Sequence, residues 1–334
     1  MIEYFYIIIH KRKAKAMSEN KCHITSIGGQ AIIEGVMMRG PKNIAIAVRK
    51  PDGEIIVENR PIFSIIQKYK FLKLPIIRGV VSFIESLIVG TSALMFSAEF
   101  YDIDDEEDKK KKEEMTEEER KKAEAKESKA MTWAIYSSVV IALVFGIGLF
   151  MMLPTVITGF VKSFIPNSIV FSLVEGIIRI AIFLIYLSLV AKMKDIRRVF
   201  EYHGAEHKTI FCYESGEELT VENVKKHPRL HPRCGTSFLL IVMVVSIILF
   251  SFVSVDNPLT RLGTRLLLLP VVAGVSYEII KFAGRSKSRF MKYVSMPGMW
   301  LQKITTNEPD DSQIEVAIES LKAVLTGNIE DDRW

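Results

Sequence analysis

The chain is poor in cysteine. Three among 334 residues, Cys22, Cys212 and Cys234, are too few and too scattered for a disulfide scaffold. They point to a reducing compartment in which thiols are free or ligate metal. A secretory signal is also missing. The apolar run in residues 1–16, MIEYFYIIIHKRKAKA, comes before its basic cluster, the reverse of a signal peptide, and is too short to span a membrane. These residues read as an extension ahead of a start at Met17, with Met1 as the other candidate start. The Gly28-Gly29-Gln30 stretch has no Lys-Ser/Thr after it, so it is no P-loop and reads as a tight turn. No internal repeat is visible, which weighs against a transporter. A large excess of one charge is absent too: 44 basic and 39 acidic residues leave +5. The basic surplus sits in loops beside apolar runs, which suits the cytoplasmic face of a membrane and not nucleic acid.

What the chain has in quantity is segregated. Residues 102–129 hold 13 acidic and 9 basic side chains, and the apolar stretches hold almost none. The expected organisation is an N-terminal extension (1–21), a small β-rich cytoplasmic unit (22–74), an amphipathic helix (75–100), a charged linker (101–131), a four-helix membrane region (132–283) and a cytoplasmic tail (284–334). Within the β unit, NIAIAVRKPDGEIIVENRPI alternates on both sides of Pro51-Asp52-Gly53, a hairpin signal. The four spans are 133–153, 168–191, 236–255 and 262–283, each about 20 apolar residues. Residues 75–100 carry Arg78, Ser82, Glu85 and Ser92 on one helical stripe, so this helix is expected to be interfacial or re-entrant. The fold class is therefore a mainly α-helical membrane protein with four transmembrane helices. By the positive-inside rule the loop 192–235 and both termini are cytoplasmic. In the tail, Ser312-Gln-Ile-Glu315 reads as a capping box. Ile314, Ala317, Ile318, Leu321 and Leu325 then form one apolar face expected to pack on the β unit.

The chemistry concentrates in 201–235, which holds four of the six histidines and two of the cysteines. The second span can continue as one helix through this segment. On that helix His203 and His207 lie four apart on one face, the spacing that chelates a transition metal, with Glu206 beside them as a general base. His231 and Cys234 follow in a Pro-rich turn and supply further ligands. The expected site is thus His203, His207, His231 and Cys234 around a divalent metal, zinc by ligand type, with Glu206 as the catalytic residue. Four protein ligands would make a closed structural site, and three would leave a position for water. Cys212 is read as packed, and Cys22 and His23 as having no partner. In the spans, Glu175 and Arg179 are four apart and form an intrahelical pair. With Glu85 and Glu278 they mark either packing contacts or a polar path.

Four blocks together, IGGQAIIEGVMMRGP, YHGAEHKTIFCYESGEELTVENV, HPRLHPRCGTSFL and PGMWLQKITTNEPDDSQIEVAI, resemble the YqhQ-like family of bacterial membrane proteins. That resemblance covers residues 22–326 and implies a bacterial membrane protein and a metal-dependent enzyme, without a reaction. Its motif residues here are Glu34, Met37, Arg39, His203, Glu206, His207, His231, Arg233, Cys234 and Glu308. Three functions stay open. One is a metal-dependent hydrolase in the bacterial cytoplasmic membrane acting on a lipid or peptide substrate. The others are a membrane scaffold or regulator with a structural metal knuckle, and a transporter or its accessory.

Overall fold

A computed structural model describes residues 23–101, 133, 137–252, 257–285 and 289–333. The extension (1–21) and the charged linker lie outside these residues, apart from Tyr101. The described residues form two compact units. One comprises the chain up to Phe100 with Leu189–Ile241 and Ala273 onward; the other comprises Tyr101–Ser188 and Val242–Val272.

The first unit is built on an antiparallel meander of four strands: β1 (Gly28–Ile32), β2 (Gly35–Arg39), β3 (Asn43–Arg49) and β4 (Ile55–Pro61). The hairpin expected at Pro51-Asp52-Gly53 joins β3 to β4, with Arg49 opposite Ile55 and Gly53 at φ +91°. Gly28 and Gly29 are strand residues rather than a tight turn, paired with Arg39 and Met38. Val36, Met38, Ala45 and Ala47 alternate onto one face, as the strand period requires. There they join Tyr202, Ala205, Ile210, Ile314, Ala317, Ile318 and Leu321 in one core.

The helices follow in chain order. α1 is Ile77–Ala98, α2 is Ser137–Gly159 with a π segment at Gly148–Met152, and α3 is Ser168–Val190. α4 is Lys194–Glu214, α5 is Val221–Lys225, and α6 is Gly235–Ser251. α7 is Pro258–Arg285, α8 is Arg289–Thr305, and α9 is Asp311–Val324. Among the described residues four stretches are long and apolar enough to cross a membrane: α1, α2, α3 and Leu259–Phe282 within α7. This set differs from the expected one. α1 is an unbroken helix of 22 residues, while α6 is shorter, at 17 residues.

Two further expectations change. α3 does not run on into α4. Met193 is extended (φ −67°, ψ 135°), so the histidine helix starts afresh and packs in the core of the first unit instead of prolonging a span. The capping box of α9 also lies two residues earlier than expected. Asp310 accepts from Gln313 N–H at 3.0 Å, and Gln313 Oε1 accepts from Asp310 N–H at 2.9 Å. The predicted apolar face of α9 is otherwise observed, with Ile314, Ala317, Ile318 and Leu321 buried against the sheet and α4. Burial of each large side chain contributes about 1.5–3 kcal/mol.

In the second unit the expected Glu175–Arg179 pair forms at 3.2 Å, within a larger cluster. Arg265 donates to both Glu175 oxygens, with Nη2 to Oε2 at 2.8 Å, and Thr155 donates to Oε1 at 2.8 Å. The Arg179 and Arg265 guanidiniums lie 5.6 and 5.4 Å from the Phe250 ring centre. In the first unit Glu278 is paired with Arg78, and Glu85 accepts from Ser64 and from Ile65 N–H. Each membrane-helix carboxylate singled out from the sequence therefore has a local partner.

Candidate metal centre

α4 is amphipathic, and its buried side carries Tyr202, Ala205, Glu206, His207, Thr209 and Ile210. The i, i+4 spacing stacks His203 and His207 with ring centres 4.4 Å apart. Gly204 lies between them because the segment after α8 passes directly over it. A Cβ at Gly204 would overlap the carbonyl oxygen of Asn307, whose N–H donates to Phe200 O at 2.8 Å.

Backbone carbonyls set the chemistry of both imidazoles. His203 Nδ1 lies 2.8 Å from Thr305 O, and His207 Nδ1 lies 2.5 Å from Arg229 O. A carbonyl only accepts, so both Nδ1 atoms carry the proton and both Nε2 atoms present a lone pair. His203 Nε2 meets Cys234 Sγ at 3.2 Å. His207 Nε2 is buried and has no partner among the described residues. Leaving such an acceptor unsatisfied costs about 1–3 kcal/mol. The ligand atoms of His203, His207 and Cys234 all lie within 4.8 Å of one another. Tetrahedral zinc with ordinary bond lengths would set N and S about 3.6 Å apart, so these residues fit a zinc ion with little movement. Thr236 N–H, 3.4 Å from Cys234 Sγ, offers the support a thiolate needs.

The fourth expected ligand is turned elsewhere. His231 Nε2 lies 3.8 Å from Glu214 Oε2, and Arg233 pairs with the same carboxylate. Gln302 clamps the His231 backbone, accepting from its N–H and donating to its carbonyl, both at 2.8 Å. Burial lowers the His231 pKa and favours the neutral ring. Burial alone would raise the pKa of Glu214, but His231, Arg233 and the Thr25 N–H outweigh it and hold the carboxyl below its usual range.

Glu206 is 5 % exposed, and its Oε1 accepts from Gly29 N–H at 3.0 Å. A Cβ at Gly29 would lie 2.6 Å from Met37 O and 3.1 Å from the Glu206 carboxyl carbon, so only glycine allows this approach. Burial raises the Glu206 pKa, against the opposing pull of His203 and the Gly29 amide. The side chain therefore holds a proton more readily than a surface glutamate. Glu206 lines a cavity of about 570 Å³ with His203, His207, Cys234, Arg39 and Met37, and α1 adds Ser86 and Val89.

Two further motif residues are committed to ion pairs. Glu34, at φ +48° in the β1–β2 turn, pairs with Arg198 and accepts from Tyr202 OH at 3.1 Å. Glu308 pairs with Lys208 at 2.8 Å. His23 does have partners, Asp332 at 3.3 Å and the edge of Tyr213. Cys212 is buried, as expected, though its ligand atom lies near those of Glu217 and His227; burial pushes its thiol up to about 11. Sequence reasoning missed Thr305, Arg229 and Gln302. The first two act through backbone carbonyls, which any residue carries, and the third through a side-chain amide that grips a backbone 71 positions away, for which no local spacing gives a signal.

The fold and site thus define a mainly helical membrane protein with a small antiparallel sheet and a partly buried His-His-Cys cluster beside a glutamate. The chain belongs to the family described as Protein of unknown function (DUF1385), whose profile matches residues 74–327. It is similar to the Uncharacterized protein YqhQ of Bacillus subtilis (strain 168), with 35% identity over 308 residues, covering 89% of this chain and 92% of that protein. No solved structure matches.

Proposed function

We propose that the chain is a metal-dependent hydrolase of the bacterial cytoplasmic membrane, with zinc held by His203, His207 and Cys234. The observation that carries this reading is the orphaned, buried Nε2 of His207, whose Nδ1 is committed to a carbonyl. With His231 held by Glu214 and Gln302, three protein ligands remain, which favours an open site over a closed structural knuckle. Bound zinc supplies a Lewis acid that lowers the pKa of water toward about 7. Glu206, fixed by the Gly29 amide and raised in pKa by burial, takes up the proton of the attacking water. His203 and His207 keep their tautomers through Thr305 and Arg229.

Crossing parity supports a membrane arrangement. The sheet, α4 and α9 share one core, so an even number of crossings must separate each from the next. Three apolar helices lie between β4 and α4, so parity leaves one of them uncrossed, and the polar stripe of Arg78, Ser82, Glu85 and Ser92 favours α1 at the interface while α2 and α3 cross. Between α4 and α9, α6 and α7 cross together. Basic residues flanking α4 and the tail favour a cytoplasmic position for this core, where it would meet a lipid or membrane-bound peptide substrate.

Elemental analysis of the purified full chain tests the site. About one equivalent of zinc is expected, lost in His207→Ala and Cys234→Ala and kept in His231→Ala. A metal-free wild type refutes the reading. Loss in His231→Ala as complete as in His207→Ala favours the structural knuckle of a scaffold.

A further inference from the structure

The cavity beside the His-His-Cys cluster is lined by two arginines, Arg39 and Arg233. Arg233 is committed to Glu214. Arg39 is partly buried and has no hydrogen-bond or ion-pair partner among the described residues. Every other arginine described in β1–β4 has one: Arg49 pairs with Glu315, and Arg60 with Glu58. Arg39 ends β2 two residues after Met37, so both point to the same side of the strand, the side that faces the cavity. Directly opposite in the ladder stands Gly28, and a Cβ built there meets nothing within 4 Å. An unpaired arginine side chain thus lines this cavity, with open space beside it at Gly28. A partly desolvated cation without a counter-charge is costly, and its planar fork matches an oxyanion. The rest of the lining includes Ile27, Ala31, Val89 and Ile210, which suits an apolar body attached to a charged group.

We infer that Arg39 anchors a phosphate group of the substrate, carried either by a lipid headgroup or by a soluble phosphate ester. This deepens the hydrolase reading and rests on it for the identity of the reaction site. The binding of phosphate by Arg39 is tested separately from the metal.

The experiment is equilibrium dialysis of the full chain in neutral detergent with radiolabelled inorganic phosphate, and a parallel arm with phosphatidic acid in mixed micelles against diacylglycerol. Wild type is expected to bind phosphate. Arg39→Gln should weaken binding roughly ten- to hundredfold, with Arg39→Lys in between. Gly28→Val keeps the charge but fills the space beside it, and should weaken binding even if Arg39→Gln folds poorly. Tighter retention of phosphatidic acid than of inorganic phosphate identifies the lipid source, and equal affinity identifies the soluble one. In His207→Ala the Arg39 dependence should persist. If His207→Ala leaves both metal content and phosphate affinity unchanged while Arg39→Gln still weakens binding, the metal reading fails and this one stands. Phosphate affinity in Arg39→Gln and Gly28→Val equal to wild type, or no binding by wild type, overturns the inference.

Discussion

Gly204→Ala should behave opposite to helix propensity. In the middle of a helix, replacing glycine by alanine normally stabilises by about 1 kcal/mol. Here the added methyl overlaps the Asn307 carbonyl oxygen and approaches Pro309 Cδ to 3.4 Å. The obstacle is backbone, so no rotamer change relieves it. The 305–309 segment must move, and it is held by the Asn307 N–H to Phe200 O bond. Overpacking costs about 1–3 kcal/mol and the strained hydrogen bond about 1 kcal/mol. The helix gain offsets part of this, leaving a net loss of roughly 1–3 kcal/mol. The same movement draws Thr305 O away from His203 Nδ1, loosening the lock on the tautomer. Loss of such outer-shell support lowers metal affinity about 10–100-fold. The assay pairs denaturant unfolding in detergent with zinc competition against a chromogenic chelator. A Gly204→Ala protein as stable as wild type or more so, with unchanged zinc affinity, would refute the claim that this close passage sets the site.

Other consequences are as specific. Glu175→Gln leaves Arg179 and Arg265 buried without their carboxylate, so it should cost roughly 3–5 kcal/mol, read as loss of monodisperse protein in detergent. Chelation should lower the wild-type melting temperature by linkage and leave that of His207→Ala unchanged. Asp310→Ala removes the α9 cap and should cost about 1 kcal/mol by denaturant titration. The pH dependence has a definite sign. Burial opposes ionisation of Asp310, but Ser312, the Gln313 N–H and Arg198 outweigh it and hold its pKa below the usual value. The cap's contribution is thus present above the ordinary aspartate range and fades as pH falls through the lower folded value. An Asp310→Ala protein whose stability deficit stays constant from pH 7 down to pH ~2.5 would contradict this, since an ordinary aspartate titrates near pH 3.9.

Periodicity carried much of the architecture. The β3–β4 hairpin, the apolar face of α9 and the His203–His207 pair all follow from local spacing. The errors fall where local patterns compete. Ser312 and Glu315 match the capping-box consensus as well as Asp310 and Gln313 do, and only the backbone decides. Nothing in the residue types at 191–193 announces a break, because helix formers flank an extended Met193. His231 and Cys234 look alike as ligands in sequence, yet the Gln302 clamp and the Glu214–Arg233 pair turn one away and leave the other in place. Arg265, 90 positions from Glu175, carried no local mark of a partner.

The sequence by itself determined the segregation of apolar helices from a charged, histidine-rich segment, because hydropathy and side-chain period are properties of short stretches. It also determined that two imidazoles would share a helix face. Tertiary structure alone decided which lone pairs are free, which cysteine joins them and which arginine is left without a counter-charge. Those outcomes depend on carbonyls and carboxylates brought together from positions scores of residues apart, and only the packed core sets those distances.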